Sequence, residues 1–142
     1  MNTNDLNAAL FNRWNVSAVT DLATNGVHYG RAPQGTSYPY SIFQMIPPSK
    51  ADYTFGETEP CEEEFIYMAK GLAVDTEEKS GPELARDIAA AMDAQVNNVA
   101  FTIANQTLLS IYRKSDIEYI EPAKGFDVYH YGGIYVVSIG QE

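Results

Sequence analysis

The chain has 142 residues, 45% of them hydrophobic, and a formal net charge of -10 from 19 acidic against 9 basic side chains. That is enough chain for one domain with a real core and too little for two ordinary ones. The acidic balance excludes a protein that wraps nucleic acid or adheres to an anionic membrane, since both need concentrated Lys and Arg, but it suits a conduit that repels DNA passing through it.

The first residues lack the basic and apolar regions of a secretory leader, and no apolar run approaches the roughly 18 residues of a membrane span. With Cys61 as the one cysteine, no internal disulfide can form, and a protein that is cytosolic when made is expected. From Asp5 to Trp14 the apolar residues Leu6, Leu10 and Trp14 recur at every fourth position, which predicts a helix that Thr3 or Asn4 can cap. Residues 15–25 mix Val16, Val19 and Leu22 with Ser, Thr and Asp before the turn dipeptide Asn25-Gly26, and their structure stays open. A short strand is expected at 27–30, followed by a turn-rich loop in which Gly30 and Gly35 supply positive φ and Pro33 and Pro39 stiffen the chain. The next strand runs over 38–46 and is expected to end at Pro47-Pro48.

Residues 49–61 carry Asp52, Gly56, Glu57, Glu59 and Pro60, the composition of an exposed loop or hairpin arm. A long strand over 62–74 places Phe65, Tyr67, Ala69 and Ala73 on one face and Ile66, Met68, Leu72 and Val74 on the other. With both faces apolar, a helix layer must cover one and something else the other. Ser80-Gly81-Pro82-Glu83 opens a helix, with Ser80 as N-cap and Glu83 as its capping-box partner. Leu84, Ile88 and Met92, with Ala85, Ala89 and Val96, form the buried face of that helix, which stops at Asn97-Asn98. Four strands follow, over 99–103, 107–113, 117–120 and 126–139, the last interrupted by Gly132-Gly133. The whole reads as a single domain of helices and strands with a long hairpin arm.

No residue pattern carries chemistry. Gly30 and Gly35 have the outer spacing of a phosphate loop, but the lysine is missing and a strand follows instead of a helix. Cys61 stands among Glu59, Glu62, Glu63 and Glu64, whose charges oppose a thiolate, so pairing it with His28 or His130 gives no nucleophile. The two histidines lack companion ligands, and the acidic cluster lacks the pattern of a calcium loop, so each is read plainly, as half-buried sheet residues and a solvated charge run. We therefore expect no catalytic residue, metal or cofactor. Ten tyrosines against six phenylalanines tilt the surface toward protein contacts, because tyrosine joins a large apolar ring to a polar tip.

In the order of its elements, and most specifically in residues 27–48 and 63–92, the chain resembles the tail-completion or tail-terminator proteins of long-tailed bacteriophages. The resemblance rests on the Gly/Pro loop running into Tyr38-Pro39-Tyr40 and on the Ser80-Gly81-Pro82-Glu83 helix start. It implies an α+β fold, a mixed or antiparallel sheet with two helices on one face and a long β-hairpin arm, assembled into a ring that is commonly hexameric. Such a ring closes the head-proximal end of the tail tube in the virion, binds the tube protein and a neck or head-completion protein, and lets DNA pass without specific binding. On this reading Pro47, Pro48, Tyr53 and Phe55 of the arm and Tyr129, Tyr131 and Tyr135 of the last strand are the subunit or partner contacts. Glu57, Glu59, Glu62, Glu63 and Glu64 form an acidic lumen or arm surface, and replacing Tyr129 and Tyr135 by Ala should weaken the ring more than the subunit. Two other readings stand beside it: a head-closure or other neck connector subunit, and a small ligand-binding or enzymatic domain whose pocket is lined by tyrosines and His130.

Overall fold

A computed structural model describes residues 3–52 and 62–141. Its elements are α1 (Thr3–Trp14), α2 (Ser17–Thr20), β1 (Val27–Tyr29), β2 (Tyr40–Asp52), β3 (Glu62–Ala73), α3 (Gly81–Val96), β4 (Gln106–Ala123) and β5 (Phe126–Gln141). The five strands form one mixed sheet in the order β1-β2-β3-β5-β4, with β1 parallel to β2 and every other pair antiparallel. The α+β class and the hairpin of β2 with β3 match the sequence reading.

The core lies between this sheet and α1 and α3. Leu6, Leu10 and Trp14 from α1 meet Ile88, Met92 and Val96 from α3 over Phe43, Tyr67, Tyr135 and Val137 of the sheet. The Trp14 indole N–H donates to the Met92 carbonyl at 3.0 Å, while Arg13 donates from Nε and Nη2 to the Gln95 carbonyl at 3.0 and 2.7 Å. The last turn of α1 thus satisfies the Gln95 carbonyl, which the last turn of α3 leaves open, and places a cation at its negative end. At the other end of α3, the Ser80 hydroxyl accepts from the Glu83 N–H at 3.4 Å with Pro82 in the first turn, as its sequence announces. α3 sits close over β3 because Gly71 leaves room: a Cβ there would lie 2.6 Å from the Ile88 side chain.

Four details depart from expectation. The undecided stretch after α1 contains the one-turn helix α2, which stands among the described residues beside the two longer helices α1 and α3. Pro47-Pro48 does not end β2, which continues to Asp52 through a register shift between Ile46 and Lys50. Neither proline is among the paired residues of the β2–β3 ladder, which skips from Ile46 to Lys50, so their missing N–H groups cost no bond to β3. Residues 107–113 and 117–120 are one strand, β4, because a bulge between Arg113 and Ser115 absorbs the polar Lys114-Ser115-Asp116 run. Residues 99–103 are not a strand: only Ile103 makes a bridge, to Gln106, and the segment lies between Asn98 and Asn105, both at positive φ of 58° and 60°. There the chain covers the outer edge of β4, with the Asn98 N–H donating to the Ile111 carbonyl and the Asn97 side chain accepting from the Arg113 N–H, both at 2.9 Å.

Candidate subunit interface

Strand alternation sends β5 side chains to two different environments, and the register shows which. Tyr129, Tyr131 and Tyr135 face the helix layer. Tyr135 is 1% exposed, stands edge-on to Trp14 at 6.4 Å, and donates its hydroxyl to Asp93 of α3 at 2.7 Å. Burial and the Asp93 carboxylate push that hydroxyl far above its ordinary pKa. The Tyr131 hydroxyl accepts from Arg86 at 3.0 Å, with the guanidinium 4.7 Å above the ring. Tyr129 packs on the start of α3 so closely that a Cβ on Gly81 would sit 2.4 Å from its ring. Tyr135 is therefore a core residue and not the surface residue expected, while Tyr129 and Tyr131 are half-buried and packed on α3 within their own chain.

The opposite face has no helix on it among the described residues. Two cross-strand rows span it: Ile46, Ile66, Val136 and Tyr112, and Gln44, Met68 and Ile134. Ile46, Ile66, Met68 and Ile134 are half-buried and Tyr112 is exposed, so the middle of this face is an apolar band open to solvent. Toward one end the loop before β2 covers it. Tyr38 stacks on Tyr40 at 5.1 Å and meets Phe126 edge-on at 6.3 Å, above a small second core of Ile42, Leu72 and Val128. Burial and the neighbouring Tyr38 push the Tyr40 hydroxyl up to about 12. Toward the other end stand Glu62 and Glu64, half-buried and paired with Gly140 and Ser138, whereas Glu63 falls on the helix side. The acidic run is thus divided between the two faces. Pro47 is exposed beside the band; Tyr53, Phe55, Glu57 and Glu59, and the side chain of Pro48, lie outside what the structure describes.

The sequence reading missed a polar row crossing this face. Lys70, only 8% exposed, pairs in register with Gly132, where a Cβ would lie 2.0 Å from the Ala69 carbonyl; the absent side chain leaves Lys70 a lane across β5. Its ammonium donates to the Tyr119 hydroxyl and lies 4.8 Å from that ring's centre. Tyr119 in turn stacks on His130 at 4.2 Å, and His130 Nε2 stands 3.0 Å from a Glu121 carboxylate oxygen. Burial, ahead of every other influence, lowers the His130 pKa. His130 is 4% exposed, more buried than its sequence context indicated. The signal in the sequence was Lys70 itself, a cation at an inward position of an apolar strand.

On the helix side an open cleft of about 230 Å³ lies beside Arg86, Arg113, Asp116, Glu118 and Tyr131; His130 is not among its walls. Its cations are already engaged. Arg113 Nη2 donates to the Gly132 carbonyl and to Asp116, both at 2.8 Å, with Nη1 3.4 Å from Asp93, and Arg86 lies 3.8 Å from Glu118. Among the described residues no group of His, Cys, Asp and Glu could hold a metal ion, and no helix is long and apolar enough to cross a membrane.

No protein-family model matches the chain, and no curated protein matches it in sequence. Solved structures do share its fold. A chain of the virion of a native gene transfer agent particle superposes with a TM-score of 0.71 at 12% identity, over 97% of this chain and 96% of that one. Another solved chain matches with a TM-score of 0.58, also at 12% identity, over 100% of this chain and 96% of the other.

Proposed function

We propose that this protein is a structural subunit of a phage-like virion: a ring, hexameric by the resemblance to tail terminators, that closes the head-proximal end of a tail tube and joins it to the neck. Its role is assembly and not catalysis. The observation that carries this reading is the end-to-end fold likeness to a virion chain, with nearly the whole of both chains superposed. Two features of the chain support it. The open apolar band of Ile46, Ile66, Met68, Ile134 and Tyr112 needs cover that the described residues of its own chain do not supply. The net charge of -10 suits a wall past which DNA slides without sticking. In a closed ring each subunit presents two different patches to its neighbours, so one face of the sheet is a natural half of such a contact.

The test is the native mass of the purified protein across a range of concentrations, alone and with isolated tail tubes, with the peak imaged in negative stain. A closed ring, or a monomer that forms one on tube ends, is expected. A monomer that ignores tube ends overturns the proposal.

A further inference from the structure

We propose that Lys70, Tyr119, His130 and Glu121 form a proton-sensitive clasp, which holds the distal half of the β4–β5 hairpin against the sheet at neutral pH and loosens it on acidification. The inference is independent of the ring reading. It starts from hydrogen-bond accounting. Glu121 offers a carboxylate to His130 Nε2 at 3.0 Å, and a carboxylate only accepts, so the neutral ring carries its proton on Nε2. Nδ1 is then a bare acceptor, and it is buried with no partner among the described residues. A second proton must go to Nδ1, where the new N–H finds no acceptor.

The charges around the ring point the same way. From β3 comes the Lys70 ammonium, fixed on the Tyr119 hydroxyl and close to the ring that stacks on His130. From β4 come the ring of Tyr119 and Glu121, the anion in contact among the described residues, whose side chain is 57% exposed. Beyond Leu72, β2 contributes only the phenol of Tyr40. Burial and Lys70 therefore oppose an imidazolium, and a mostly solvated carboxylate answers them only in part. The chain relieves a protonated His130 most readily by swinging the ring toward water, which removes the surface on which Tyr119 lies. The distal hairpin has little else to hold it down, since Tyr119, Ile120 and Phe126 are 45%, 56% and 49% exposed.

The experiment is an NMR titration of the His130 ring in the intact protein, with amide-exchange protection factors measured on both sides of its midpoint. The midpoint should lie below 6.5, the value of an unperturbed histidine. Protection of residues 117–121 should fall about tenfold or more below that midpoint, while the β2–β3 ladder around Phe43 keeps its own. Lys70→Met, which removes the opposing charge, should raise the midpoint. His130→Phe, which keeps a stacking ring but takes no proton, should make protection of 117–121 independent of pH. A midpoint at or above 6.5, a midpoint unmoved in Lys70→Met, or protection unchanged through the transition overturns the clasp. If His130→Phe does not fold, the titrations of the unaltered protein and of Lys70→Met decide alone.

Discussion

Tyr135 and His130 are separated by five positions on one strand, yet they answer to opposite sides of the sheet, and their substitutions should read out differently. Tyr135→Ala removes a ring 1% exposed from between Trp14 and Asp93, so it should cost about 3–5 kcal/mol of stability in urea unfolding. Tyr135→Phe, which loses only the hydroxyl bond, should cost about 0.5–1.5 kcal/mol. Whatever fraction of Tyr135→Phe is folded should assemble as the unaltered protein does, and an assembly defect in a fully folded variant would return Tyr135 to the interface. His130 gives a pH signature. Its folded pKa is lowered, so the unfolded chain binds a proton at a higher pH than the folded one does. The stability it contributes is present above the unfolded value of 6.5 and is lost as pH falls through the lower folded value. Thermal melts of the unaltered protein and of His130→Phe should therefore differ in slope below pH 6.5 and run parallel above it.

The helix α3 and the strand β4 show what an element's sequence can and cannot disclose. α3 was legible because its signals are local: the Ser80 cap, Pro82 in the first turn, and apolar residues returning every third or fourth position all lie within one stretch of chain. Ser80→Ala should accordingly cost about 1 kcal/mol in the same unfolding assay. β4 was read as two strands because Lys114-Ser115-Asp116 has the composition of a turn, and only the partner strand shows that a bulge carries the pairing through. Pro47-Pro48 misled for the same reason: only the partner strand shows that a register shift between Ile46 and Lys50 carries the pairing past both prolines. The tyrosines of β5 posed the reverse problem. Alternation correctly groups Tyr129, Tyr131 and Tyr135 on one face, but nothing local says that α3 will cover that face and leave the other open. The band that α3 leaves bare is where element-scale substitutions should separate folding from assembly. Ile66→Glu or Met68→Glu places a charge on a half-buried surface position, and should leave a folded monomer while abolishing higher-mass species in light scattering. Normal assembly of both variants would move the contact elsewhere.

At the scale of the whole molecule, a charge of -10 on every copy of the proposed ring would set the copies against one another at low ionic strength. Salt screens that repulsion over a Debye length of about 10 Å at 0.1 M while leaving apolar burial intact, so added salt should shift the mass distribution toward the assembled form. A shift toward monomer would instead show that ion pairs dominate the contact. The borders of the sheet bear on the same balance. β1 is three residues long, two prolines interrupt the ladder of β2, and residues 97 and 98 already bond the rim of β4 at Ile111 and Arg113. A sheet guarded at these points gives passing copies less template on which to grow fibres, which would let the free pool rise to the concentration that the proposed assembly demands.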